Sequence, residues 1–79
     1  MQRYFMHLRD STDELLDPDE LMMPEEAVAG ATLLTARDCL AHDLPSGRLQ
    51  LEYRIDVENE AGEIVHTLQF SDAVTIVPA

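Results

Sequence analysis

The chain contains no lysine. Its five basic residues are all arginine and face 16 Asp and Glu, leaving a formal charge of -11 over 79 residues. A field of that sign repels phosphate backbones and anionic bilayers, so neither nucleic acid nor an acidic membrane surface is expected as a partner. A cationic partner fits better, and the same charge keeps a small domain soluble. Cysteine is nearly as scarce. Cys39 stands alone, which rules out an internal disulfide framework and points to the cytoplasm. The N-terminal run Met1 to Asp10 is interrupted at His7 and followed by charge, unlike a signal-peptide core. Long apolar runs are missing too: the uncharged helical stretch Ala27 to Ala36 is far below the roughly 20 residues needed to cross a bilayer.

What is present is globular. Apolar residues make up 46 % of the chain and charged ones 27 %, and the length suits one domain with one core. Residues 2 to 8 read as a strand with Tyr4, Met6 and Leu8 on one face and Phe5 and His7 on the other. Asp10-Ser11-Thr12-Asp13 is rich in side chains that bond nearby amides, predicting a turn and a return through Glu14, Leu15 and Leu16. Asp17-Pro18-Asp19-Glu20 has the pattern of a capping box and predicts a short helical turn. Pro24, Glu25 and Glu26 suit a helix N-terminus, and Pro45-Ser46-Gly47 ends a helix running to Leu44. Its expected core stripe is Val28, Ala29, Thr32, Leu33, Ala36, Cys39, Leu40 and Leu44. Leu34 falls outside that arc, beside Ala27, Ala31, Asp38 and Ala41.

Alternation from Leu49 to Val57, with Gln50, Glu52, Arg54, Asp56 and Glu58 opposed, predicts a strand with one wet face. Asn59-Glu60-Ala61-Gly62 predicts a tight turn in which Gly62 supplies a positive φ, and Glu63 to Phe70 returns as the partner strand. Ser71-Asp72 breaks the pattern, and Ala73 to Val77 is either an edge strand or a packed tail. Together these predict an α+β fold of ββαββ order, two antiparallel hairpins in one sheet with a single long helix packed on one face.

Chemistry is harder to find. Cys39 and His42 are spaced for two metal ligands, with His7 or His66 as completing candidates, but a second close pair is missing and Cys39 falls on the apolar stripe. Eight acids lie between Asp10 and Glu26, yet an EF-hand from Asp17 meets Leu21 and Met22 where an oxygen ligand and Gly are needed. No serine sits in a G-x-S-x-G setting and there is no glycine-rich phosphate loop. A sheet-borne His7 or His66 reads as a hydrogen-bonded residue at the sheet margin. The expectation is therefore a non-catalytic protein-interaction module without cofactor or metal, meeting a basic protein or a second copy of itself. Its candidate contacts are Asp13, Asp17, Asp19 and Glu20 in the acidic segment and Leu34 on the helix. The alternative is a small metal-binding protein or enzyme using Cys39, His42 and nearby acids.

Arg3-Tyr4-Phe5-x-His7-Leu8-Arg9-Asp10, the acidic segment before Pro24, the Ala-rich helix, Glu58-x-x-Ala61-Gly62-x-x-Val65 and Phe70-x-Asp72-Ala73 carry a likeness over almost the whole chain. The sequence resembles the domain of unknown function family 6894, a family of short alphaproteobacterial proteins, with Glu20 where such sequences usually place Gly. The resemblance implies a bacterial cytoplasmic protein and a ββαββ domain. It brings no activity, cofactor or catalytic residue.

Overall fold

The fold is given by a computed structural model that describes residues 1–10, 18–75 and 77. Strands β1 (Gln2–Arg9) and β2 (Asp19–Met23) precede the helix α1 (Val28–Asp43), and β3 (Arg54–Asn59) and β4 (Ile64–Gln69) follow it. The strands form one sheet in the order β2-β1-β3-β4, with every neighbouring pair antiparallel. This is the α+β, ββαββ architecture that the sequence predicts. The two hairpins lie side by side, joined through β1 and β3.

The helix begins where fixed backbone and negative charge favour it. Ala27 N–H donates to Pro24 O at 3.0 Å, closing a 3₁₀ turn over Glu25–Ala27 that leads into α1. At the other end Leu44–Ser46 tightens to 3₁₀, and Gly47, at φ 79°, donates to Leu44 O at 2.8 Å. The second hairpin turns as expected. Gly62 has φ 83° and donates to Asn59 O at 3.1 Å, while Asn59 Oδ1 accepts from the amides of Ala61 and Glu63 at 3.0 Å each.

One face of the sheet carries the core. Tyr4, Met6, Met23, Ile55 and Val57 are buried with Val28, Thr32, Ala36 and Leu40 of α1, and Phe70 and Ala73 close the end beyond β4. Thr32 is tolerated in this apolar setting because its hydroxyl donates to Val28 O at 2.7 Å. Leu33 and Cys39 pack partly buried against the core as the stripe predicts, whereas Ala27 and Ala31, expected beside Leu34 outside the stripe, also pack against it. Ala29 and Leu44 are exposed. Leu44 leaves the stripe because the chain has passed into 3₁₀ geometry, which rotates the side chain away from the α-helical arc.

Two further expectations are corrected. The capping-box residues Asp19 and Glu20 open β2 rather than a helical turn, because five residues of ladder with β1, from Gln2↔Met23 to Met6↔Asp19, outweigh a local capping preference. The expected return through Glu14, Leu15 and Leu16 lies outside the described residues. The third strand starts only at Arg54, with a turn at 51–52. The reason is a lack of neighbours: β1 ends at Arg9 and β4 at Gln69, both opposite Arg54, so apart from one bond from Phe70 N–H to Tyr53 O, residues 49–53 have no described strand to continue the ladder. After β4 a 3₁₀ turn over Phe70–Asp72 leads to a tail that packs only at its start, Ala73 buried and Val74 partly so, while Thr75 and Val77 are exposed.

Candidate functional site

The residues singled out from the sequence do not share one face. Asp13 and Asp17 lie outside the described residues. Asp19 and Glu20 are neighbours on β2, so their side chains point to opposite faces of the sheet. Glu20 is held by Arg3, whose Nε lies 2.7 Å from its Oε1. Leu34 stands 63 % exposed on the outer surface of α1.

The two sheet edges differ in character. On β2, Asp19 and Glu20 put charge on the edge, a standard protection against strand addition. On β4 the sequence Ile64-Val65-His66-Thr67-Leu68-Gln69 has no Asp, Glu or Arg, and Ile64 and Val65 are 47 % and 48 % exposed. The outward direction of its backbone follows from one bond. Phe70 N–H donates to Tyr53 O at 2.9 Å, so in an antiparallel ladder Leu68 and His66 also turn their backbone groups toward β3. Thr67 and Gln69 then turn theirs to the open side. A register shift opposite Val57/Glu58 bulges the start of β4, leaving the outward pair as its straight portion.

The face away from the helix is not simply wet. Asp56, only 6 % exposed, accepts from Arg9 Nη1 at 3.3 Å and Arg54 Nε at 3.4 Å through Oδ2, and from Thr67 Oγ1 at 2.9 Å through Oδ1. Arg54 Nη1 also donates to Asp10 O at 3.0 Å. Beside this cluster His7 is buried on a central strand, not at a margin, with Nε2 3.4 Å from Glu58 Oε1. Long arginine stems cover the carboxylate while their heads satisfy it. Alternation alone gave no sign of this, since a charged residue opposite an apolar one reads as solvated.

The metal-ligand alternative meets a geometric obstacle. His7 points away from the helix-covered face and cannot join Cys39 and His42. His66 lines a separate cavity of about 270 Å³ with Tyr4, Glu25, Val28 and Ala29, and Val28 is roughly 16 Å along the helix axis from Cys39. Among the described residues no group of three or more His, Cys, Asp and Glu side chains is placed to hold a metal ion. Cys39 and His42 instead line a second cavity of about 330 Å³ with Leu8, Asp38, Asp43 and Tyr53.

The Cys39 thiol is pushed above its ordinary value of 9.0 by burial and then by the negative charges of Asp43, Asp38 and Asp19. It is therefore protonated and unreactive at neutral pH. Iodoacetamide at pH 8 is expected to alkylate Cys39 several-fold more slowly in the folded protein than in urea; equal rates would contradict the burial. The sign for stability follows. A thiol that holds its proton more tightly when folded contributes stability below about pH 9 and loses it as pH rises through the folded value.

A family model, the domain of unknown function 6894, matches residues 3–71, from β1 through the turn after β4. The chain belongs to the domain of unknown function 6894 family. No curated protein and no solved structure matches it. For this member of the 6894 family, the functional reading accordingly rests on its own geometry, and no helix among the described residues is long and apolar enough to cross a membrane.

Proposed function

We propose that the protein is a non-catalytic interaction module of the bacterial cytoplasm, and that it receives an extended segment of a basic protein partner along β4. The observation that supports this reading most is the uncharged open edge, with the amides and carbonyls of Thr67 and Gln69 turned outward. Strand addition uses such groups for affinity and alternate side chains for selection. Charge supplies the choice of partner. Arg3, Arg9, Arg37 and Arg54 are engaged within the chain, by Glu20, Asp56, Ala73 O and Asp10 O, so the acidic excess faces outward.

Gln69→Pro is the decisive variant. Gln69 has φ -76° and ψ 138°, which proline accepts without strain, and its amide serves no bond to β3. Stability should change by less than about 1 kcal/mol, while a partner captured from the source cell by the wild-type protein is lost. The same partner retained by Gln69→Pro would overturn the edge assignment. Salt separates the two kinds of partner. Binding of a basic protein weakens from low to physiological ionic strength, whereas pairing of two copies, each carrying -11, strengthens.

A further inference from the structure

The cavity between the C-terminal half of α1 and the sheet belongs to neither edge, and its lining is of two kinds. Leu8 and Tyr53 line it with apolar surface, Cys39 adds a thiol that behaves as a small hydrophobe, and Asp38, Asp43 and His42 complete the lining. No lysine or arginine lines it. Neither aspartate forms an ion pair with a described residue, so both charges are uncompensated by a neighbouring cation. The protonated state of Cys39 reports the same field, since three carboxylates oppose its ionisation. An apolar lining beside unpaired carboxylates is complementary to a cation carried on an aliphatic stem.

The shape narrows the source. All six lining residues are at least partly exposed, so a free small molecule would keep much of its surface in water. A side chain delivered by a protein brings a backbone that covers the mouth. We infer that this cavity seats an arginine side chain of the protein partner, its stem on Leu8 and its guanidinium over the Tyr53 ring, between Asp38 and Asp43. Arginine suits the site better than lysine because its flat, weakly hydrated head lies against an aromatic ring and meets carboxylates with paired donors. Tyr53 is braced for that role by its edge-on contact with Phe70, ring centres 5.9 Å apart at 71°. Asp38 and Asp43, five residues apart, are separated by roughly 7.5 Å along the helix axis and about 140° around it, so they flank the cavity on either side of Cys39 and His42.

This inference rests on the reading of the protein as an interaction module but not on the β4 edge, and its test keeps the two apart. The probe is a blocked Gly-Arg-Gly tripeptide titrated into the ¹⁵N-labelled full chain, with the citrulline tripeptide as its neutral isostere. Amide shifts are expected to cluster at Leu8, Cys39, His42 and Tyr53, with the citrulline peptide at least about tenfold weaker. The surface variant Asp38→Asn with Asp43→Asn, which leaves the core untouched, should weaken the arginine peptide about tenfold. Cys39→Met, which extends an apolar chain into the cavity, should abolish the clustered shifts in a protein whose spectrum shows it folded. Equal binding of arginine and citrulline, shifts centred on β2, or no shift at about 10 mM peptide would each overturn the inference. If Gln69→Pro still abolishes partner capture in that case, the arginine seat alone has failed.

Discussion

Replacing Phe70 with Ala is expected to lower the folding free energy by about 3–5 kcal/mol, the range for deleting a buried aromatic ring. Phe70 is 1 % exposed and joins three parts of the structure. Its ring meets Tyr53 edge-on, its amide ends the β3–β4 ladder at Tyr53 O, and its carbonyl accepts from Ala73 at 3.0 Å to start the tail. A domain of this size holds about 4–12 kcal/mol in total, so the variant should melt about 12 °C or more below the wild type. Phe70→Leu, which keeps most of the buried volume, should recover most of the loss. A thermal scan that leaves Phe70→Ala within a few degrees of wild type would show that the end of the sheet is packed differently.

The second large effect is expected at Asp56. Arg9 and Arg54 are directly opposed across β1 and β3, a like-charge pair that is unfavourable unless something stands between them. Asp56 supplies the intervening charge and also binds Thr67 on β4, so one carboxylate ties three strands. Asp56→Ala leaves two arginines without their shared acceptor, on a face where Arg9 Nε is already buried without a partner among the described residues. Removing one member of a buried pair costs about 3–5 kcal/mol. The arginine side chains here are 30 % and 32 % exposed and recover some hydration, which brings the expectation to about 2–3 kcal/mol. Urea unfolding of Asp56→Ala and Asp56→Asn checks it. Asn retains an acceptor for Thr67 and should lose less than Ala, and equal stability of Ala and wild type would show that the cluster contributes nothing.

What the sequence made legible was whatever depended on neighbours along the chain. Pro24 with its two glutamates and Pro45-Ser46-Gly47 bracket the helical segment, and Val28, Thr32, Ala36 and Leu40 recur at the spacing that buries them. Gly62 marks a turn by its backbone freedom alone. The failures sit where partners distant in sequence decide. Leu49 to Tyr53 alternate as well as any strand, yet they lie beyond the ends of β1 and β4, and among the described residues only Tyr53 O takes a ladder bond, from Phe70 N–H. Asp17-Pro18-Asp19-Glu20 has the composition of a helix start, but Asp19 and Glu20 form ladder with Met6 and Phe5.

The candidate surfaces follow the same division. That β4 is uncharged could be read directly, but that it forms an edge depends on strand order, which no local pattern encodes. Asp56 carried no mark of burial because its partners Arg9 and Thr67 come from other strands. Cys39 and His42 drew notice through their spacing on α1, while Leu8 and Tyr53, which complete the cavity with Asp38 and Asp43, are contributed by the sheet side.

Hydrogen exchange at the Thr67 and Gln69 amides, free and with the captured partner bound, is the sharpest probe of the β4 edge. Strand addition along β4 predicts that these two amides exchange readily in the free protein and slow by at least about tenfold in the complex, one hydrogen bond each. Unchanged exchange at both positions, with new protection confined to β2 or α1, would contradict it.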